Sequence, residues 1–217
     1  MKRIVLSTIL AVSLLITSCS ASNTETTSVT TEATTEATTT TTAETTTEAT
    51  TVRTFSSDPI SSLSDVCSIT AKALKNNNET ALTMVEDAFA KEFELLEERP
   101  LPENEKTPYK YTYKCDVLIE GYLFTQVVFW CNKDHVVTEI DYDFYSSDKN
   151  TQSDYYKYIS SKLSKVFKIP GEDFSVTSDF KIKTFEPGDG YFYAISNTES
   201  YVDSEDRVTL SVGGATT

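Results

Sequence analysis

The chain has 217 residues and is strongly acidic, with 33 Asp and Glu against 19 Lys and Arg and a formal net charge of −14 at pH 7. This balance argues against nucleic acid and against direct binding to an anionic membrane surface, because both select basic patches. The four cysteines show no CxxC spacing and His135 is the single histidine, so we predict no metal and no cofactor.

Residues 1–18 have the pattern of an export signal. A basic start precedes an apolar run, residues 4–16, that is too short for a membrane-spanning helix but fits the core of a signal peptide. The segment Leu-Ile-Thr-Ser-Cys at residues 15–19 resembles the lipobox of bacterial lipoproteins, with Ile and Ser where Leu and Gly or Ala are commoner. The resemblance implies that Cys19 carries a lipid, becomes the mature N-terminus and lies on the extracytoplasmic side of the cell membrane. A plain export signal followed by a chance cysteine is the alternative.

Residues 19–57 are predicted to be a disordered tether in front of one folded domain, residues 58–217. Between positions 24 and 51, 17 of 28 residues are Thr, and Glu and Ala make up most of the rest. A segment with so few apolar side chains cannot offset the entropy of ordering, and its glutamates repel one another. A bare tether and an O-glycosylated stalk both agree with this composition.

The domain begins with two predicted helices. Residues 61–75 carry apolar side chains at helical spacing, and Ser62 with Asp65 forms a capping box. We predict that the second helix begins at Asn78 and continues until Pro100. One stripe of this second segment holds the apolar residues Leu82, Val85, Phe89, Phe93 and Leu96.

Three antiparallel strands are predicted next, because the apolar pattern changes to a period of two. The strands extend over residues 109–119, 123–132 and 136–144, with short turns at Gly121 and Asp134 between them. Acidic residues alternate with apolar ones along the third strand and are predicted to face outward: Glu139, Asp141 and Asp143.

A third helix and three more strands complete the predicted domain. Residues 151–154 form or approach a capping box, and Pro170 with Gly171 ends the helix. The further strands are predicted at residues 174–182, 191–196 and 207–212. The order ααβββ-α-βββ predicts an α+β fold, an antiparallel sheet of about six strands with helices packed on one face. This order is similar to the small inhibitor and outer-membrane-assembly lipoprotein folds built as ααβββ, a resemblance of fold that implies no function.

Three cysteines remain once Cys19 is assigned to the lipid, so the domain has at most one internal disulfide. The predicted register separates Cys115 from Cys131 by about 13 Å along the sheet, which is too far for a bond. Any disulfide would therefore join Cys67 to one of these two. We favour three unpaired, buried cysteines, because their sequence neighbours are apolar.

The strand at residues 123–132 is apolar on both faces and is the best lead to a binding surface. Strict alternation places Tyr122, Phe124 and Trp130 together on one face. These aromatic residues are either covered by the third helix or the second half of the sheet, or they form a partly open face that binds a protein or a glycan. The sequence therefore predicts a membrane-anchored binding module without catalytic activity.

The alternative is a cell-envelope hydrolase that uses acidic residues as a catalytic pair. His135 lies in a turn, where little would orient it as the base of a nucleophilic pair. Residues 148–154 resemble the start of a calcium loop, but Ser153 replaces the turn glycine and Ile159 the bidentate glutamate. The acidic loop at residues 197–206 leaves weak calcium binding open.

Overall fold

The computed structural model describes residues 53–55, 58–102, 106–177, 180–198 and 206–214, with only the backbone for residues 175–177. The folded unit extends from Phe55 to Thr217. The predicted signal peptide, Cys19 and the tether as far as residue 52 lie outside the described residues. Of the helices in these ranges, none is both long and apolar enough to cross a membrane.

Eight strands form one antiparallel sheet. They are β1 Glu94–Pro100, β2 Tyr109–Ile119, β3 Tyr122–Cys131, β4 Val137–Tyr145, β5 Glu172–Thr177, β6 Phe180–Phe185, β7 Tyr191–Thr198 and β8 Arg207–Gly214. Their order across the sheet is β1-β2-β3-β4-β8-β7-β6-β5. Each half is therefore a four-stranded meander, and the two halves meet where β4 pairs with β8 at the centre.

Three helices pack on one face of this sheet. They are α1 Leu63–Ala73, α2 Asn78–Phe89 and α3 Lys149–Phe167. The hydroxyl of Thr70 in α1 lies 2.9 Å from the hydroxyl of Tyr142 in β4, and Tyr155 in α3 packs edge-on against Phe124 in β3. The α+β class, the antiparallel sheet and the helices on one face are as predicted.

Local signals in the sequence explain where the helices begin. The Ser62 side chain accepts a hydrogen bond from the amide of Asp65, which confirms the predicted start of α1. Asn77, one residue before the predicted position, caps α2. Asp148 caps α3, so this helix begins three residues earlier than the capping box at Thr151 indicated.

The second helix is shorter than predicted, and an edge strand follows it. Ala90 has a left-handed backbone (φ 52°, ψ 41°) and ends α2. The Lys91 amide donates to the carbonyl of Glu86 at 3.0 Å, and the Phe93 amide donates to the Glu86 carboxylate at 2.8 Å. The chain therefore reverses at this point and pairs with β2. The apolar spacing that extends to Leu96 in the sequence does not prolong the helix.

The predicted single strand at residues 174–182 is a hairpin. β5 and β6 pair antiparallel, with Phe174 opposite Ile182. Because these two partners share a face and are an even number of residues apart, the period of two continues across the chain reversal and looks like one strand. This hairpin and the edge strand β1 raise the strand count from the predicted six to eight.

The core lies between the helices and the sheet. Its largest fully buried side chains include Tyr142, Tyr155, Phe124, Phe129 and Phe185, and burying one such side chain contributes about 1.5–3 kcal/mol. The cysteines of the domain, Cys67, Cys115 and Cys131, are buried and unpaired, which confirms the interpretation we favoured. Burial raises the pKa of all three thiols to about 12.

Candidate binding face

The sheet face opposite the helices combines buried residues, among them Thr112, Val128 and Asp143, with partly exposed ones such as Trp130 and Glu139. On β4, the side chains that pack under the helices are Ile140, Tyr142 and Phe144. The acids between them lie on the other side: Glu139, Asp141 and Asp143. The outward direction predicted for these acids is therefore confirmed. We call this side, which carries the three acids and their cross-strand partners, the open face.

One row of neighbours across the open face has an aromatic ring on each side of an acid. The register places Trp130 of β3 opposite Glu139, Glu139 opposite Gly213 of β8, and Gly213 opposite Phe192 of β7. A Cβ at Gly213 would lie only 2.2 Å from Cε1 of Phe192, so the missing side chain makes room for that ring. Trp130 and the Phe192 ring above Gly213 therefore flank Glu139.

The adjacent row contains polar atoms without partners. It extends from Thr112 in β2 through Val128 in β3 to Asp141 in β4. The indole Nε1 of Trp130 donates to Oδ2 of Asp141 at 2.7 Å and so connects the two rows. Oδ1 of Asp141 and the hydroxyl of Thr112 are buried and have no hydrogen-bonding partner within the described residues. Buried polar atoms of this kind destabilise the free protein.

Glu139 and Asp141 have unusual proton affinities. Burial, and then the charge of Asp143, raises the pKa of Asp141 to about 6, against the opposing hydrogen bonds from Ser211 and Trp130 and the charge of Arg207. The pKa of Glu139 is also raised, first by burial and then by the charge of Asp141 and a hydrogen bond between the two carboxyl groups. We call these two residues the carboxyl pair, because a hydrogen bond connects their carboxyl groups and the charge of Asp141 raises the pKa of Glu139.

Asp143, the third acid of β4, has its charge compensated. The Thr209 hydroxyl donates to Oδ1 of Asp143 at 2.6 Å, and an Arg207 guanidinium nitrogen lies 3.8 Å from Oδ2. No lysine or arginine of the described chain forms an ion pair with either member of the carboxyl pair. The charge of Arg207 also acts on Asp141 without an ion pair, so the acidity of the carboxyl pair is compensated only in part.

The structure separates the three aromatic residues that alternation placed together. Trp130 is half-buried on the open face, where it meets Asp141. Phe124 is fully buried under α3, and Tyr122 packs against Tyr155 of that helix with ring centroids 4.1 Å apart. Of the predicted surface, only Trp130 lies on the open face.

An irregularity between β2 and β3 causes this separation. Lys114 pairs with Gln126 but Val117 pairs with Phe124, so two residues of β2 lie opposite the single residue Thr125 of β3. On one side of this bulge the odd-numbered residues of β3 face the helices, and on the other side the even-numbered residues do. The alternation is therefore inverted at the bulge. The position of a bulge depends on the partner strand, so the period of two within β3 does not reveal it.

Two residues of the open face were missed by the sequence analysis, Phe192 and Gly213. They lie on β7 and β8, and the strand order brings them beside β4. The sequence signal for them is weak: a phenylalanine in an alternating strand and a glycine near the end of another. Glu139 and Asp141 were recognised as outward-facing but not as a pair.

The structure shows the surroundings of the residues that the metal and nucleophile hypotheses named. Within the described residues, no group of three or more His, Cys, Asp or Glu side chains is arranged to hold a metal ion. Asp148 uses its carboxylate to accept the amides of Asn150 and Thr151 at the start of α3, and most of the acidic loop at 197–206 lies outside the described residues. His135 is exposed in the turn before β4, where its Nδ1 lies 2.7 Å from the Tyr111 hydroxyl.

Comparison with known proteins provides no relative. No protein-family model, no curated protein and no solved structure matches this chain. The resemblance of the element order to ααβββ lipoprotein folds therefore stays a prediction, and the function has to be argued from the open face.

Proposed function

We propose that the domain is a non-catalytic binding module whose open face recognises a protein or a polysaccharide. The observation that carries the proposal is the row in which Trp130 and Phe192 flank Glu139 on the sheet face opposite the helices. Aromatic side chains beside unsatisfied polar atoms contribute apolar area and directional hydrogen bonds together, as recognition surfaces do.

The dimensions of the open face suit a macromolecular ligand. Eight strands at a spacing of about 4.8 Å make the sheet about 34 Å wide, and the nine residues of β4 extend over about 30 Å. A stable protein interface buries about 800 Å² on each partner. The open face therefore has enough area for a folded partner or for several sugar rings of a polysaccharide.

We further propose that a lipid on Cys19 holds this module at the extracytoplasmic side of the cell membrane. Mass spectrometry of the mature N-terminus tests this anchor. A diacylglyceryl-modified Cys19 supports it, whereas an unmodified residue further along the chain contradicts it.

A cell-envelope hydrolase is the second candidate, favoured by one observation. A carboxyl group with a raised pKa beside a second carboxyl group is the arrangement that acid catalysis of glycoside cleavage uses. Such an enzyme also needs a cleft that orients its substrate. Two depressions on the described surface, of about 320 and 280 Å³, lie at α3 with β5 and β6 and between α1, α3 and β7, away from the carboxyl pair.

Binding and turnover assays on the same variants separate the two candidates. The full chain is tested against arrays of cell-wall and plant glycans and in cross-linking to cell-surface proteins. Phe192→Ala and Trp130→Ala should abolish binding, whereas Leu123→Ala should retain it, because Leu123 lies exposed towards the other end of β3. Glycan turnover that is lost in Glu139→Gln, with no measurable binding to any probe, would contradict the binding module and favour the hydrolase.

A further inference from the structure

We propose that the open face recognises a protein partner through a lysine or arginine side chain that enters between Trp130 and Phe192 and ion-pairs with Glu139 and Asp141. This inference rests on the binding function proposed above and names the chemistry of its ligand. It combines carboxyl groups without an ion pair, two aromatic walls and two unpaired polar atoms at one place on the sheet.

Charge complementarity is the first argument. The acids beside the carboxyl pair have basic partners within the domain: Arg207 for Asp143 at 3.8 Å and Lys110 for Glu97 at 3.7 Å. Within the described residues no lysine or arginine forms an ion pair with the carboxyl pair, and only the longer-range charge of Arg207 acts on Asp141. A carboxylate that is half-buried without a cation is unfavourable, and a ligand cation at this point converts the penalty into an attraction.

The aromatic walls are the second argument. A cation is attracted to the face of an aromatic ring when it lies within about 6 Å of the centroid. The ammonium group of Lys110 already lies 5.7 Å from the centroid of the Trp130 ring, so the outer flank of this tryptophan accepts a cation. Phe192 offers a second ring on the other side of Glu139, where Gly213 leaves the space.

The unpaired atoms are the third argument. Oδ1 of Asp141 is a buried acceptor, and an ammonium or guanidinium group is a multiple donor that would satisfy it. The Thr112 side chain is only 6% exposed and its hydroxyl lacks a partner among the described residues, in the same cross-strand row.

A protein fits these features better than a neutral glycan does. Sugar hydroxyls pair well with compensated carboxylates and gain nothing from the excess negative charge of the pair. The chain as a whole is acidic, with a net charge of −14, so it attracts basic partners over a distance of several ångströms. The sheet area also matches one side of a protein interface.

Protonation is linked to this interaction. The charged groups that face the carboxyl pair are Asp143 on β4, Lys110 on β2, Glu97 on β1 and Arg207 on β8. Since the pKa of Asp141 is about 6 in the free protein, a cation must displace a bound proton at lower pH. Affinity should therefore rise with pH through 6 and be about tenfold lower at pH 5 than at pH 7.5.

Trp130 is the only tryptophan of the chain and reports on the site directly. The full chain is titrated with the peptides Gly-Gly-Lys-Gly-Gly and Gly-Gly-Arg-Gly-Gly and with a control that has norleucine at the centre, while the emission of Trp130 is followed. We expect a saturable change with a basic peptide and none with norleucine. Asp141→Asn and Glu139→Gln should each weaken binding at least tenfold, whereas Leu123→Ala should bind as the wild type.

Four outcomes decide the proposal. A saturable response to a basic peptide that is lost in both acid variants and declines towards pH 5 supports it. Equal responses to lysine and norleucine peptides, or no response to either basic peptide, overturn it. Saturation by a neutral oligosaccharide alone also overturns it, but that result would preserve the broader binding function. Glycan turnover without saturable binding would overturn both proposals.

Discussion

The two faces of the sheet are made by the same strands but follow different physical rules. Under the helices, Tyr142 is fully buried and its hydroxyl pairs with Thr70. On the open face, Glu139 and Asp141 are half-buried without an ion pair, and Oδ1 of Asp141 has no hydrogen bond within the described residues. One face therefore provides the stability, while the other keeps an unfavourable arrangement that a ligand would relieve, as functional sites commonly do.

The largest expected effect tests the assignment of residues to the two faces. Phe124 is 0% exposed and its neighbour Leu123 is 46% exposed. Phe124→Ala should lower the free energy of unfolding by about 3–5 kcal/mol, because it opens a cavity in the core. Leu123→Ala should change it by less than about 0.5 kcal/mol. Urea denaturation followed by circular dichroism measures both free energies. If Leu123→Ala destabilised the protein more than Phe124→Ala, the bulge would not lie where the structure has it.

The second prediction concerns the electrostatic difference between the faces. The folded state holds the Asp141 proton more tightly than the unfolded state, because its pKa is raised to about 6. Stability is therefore lost as the pH rises from about 4 to about 6. Asp141→Asn removes this loss and should be more stable than the wild type at pH 7, by up to about 3 kcal/mol, with little gain at pH 4.

Urea denaturation at several pH values between 4 and 7 measures this effect. Asp134→Asn is the matched control, since Asp134 is exposed in the turn before β4, and it should keep the pH dependence of the wild type. Trp130 emission should also titrate with a midpoint near pH 6 in the wild type, because its indole donates to Asp141. If Asp141→Asn were less stable than the wild type at pH 7, the ionised Asp141 carboxylate would stabilise the folded protein. The electrostatic contrast between the two faces would then be contradicted.

A smaller effect tests how the open face is shaped. Gly213→Ala places a methyl group against the Phe192 ring and should cost about 1 kcal/mol, since the ring is able to move aside. Phe192→Ala should abolish most of this cost, so a double-mutant cycle should give a clear coupling energy. Additive effects of the two substitutions would show that the ring does not lie over Gly213.

The smallest expected effect is an absence of reaction on the helix-covered side. Cys67, Cys115 and Cys131 are buried, and burial raises the pKa of their thiols to about 12. In a chain with Cys19→Ser, a thiol reagent at pH 8 should label none of them until denaturant is added, when all three react. Rapid labelling of one thiol in the native protein would reveal an opening in the core.

The sequence predicts those elements that depend on interactions between residues close together in the chain. Ser62 and Asp65 begin α1 because a side chain caps nearby amides, and the alternation of Glu139 with Ile140 separates the two sides of β4. The edge strand β1 is missed, because Phe93 and Leu96 fit the apolar spacing of a helix. In the structure the Phe93 amide donates to the Glu86 carboxylate, and this hydrogen bond stabilises the turn that ends the helix. The β5–β6 hairpin is missed because its alternation continues without a break.

The sequence by itself determined an α+β domain, the outward direction of the acids on β4 and an apolar strand that contains Trp130. Only the tertiary structure decided that Phe124 lies in the core and Trp130 on the open face, because a bulge is set by pairing with β2. It also decided that β8 inserts beside β4 and brings Phe192 and Gly213 to the carboxyl pair. Capping and alternation act over a few residues, whereas strand order depends on contacts between segments far apart in the chain, which no local pattern encodes.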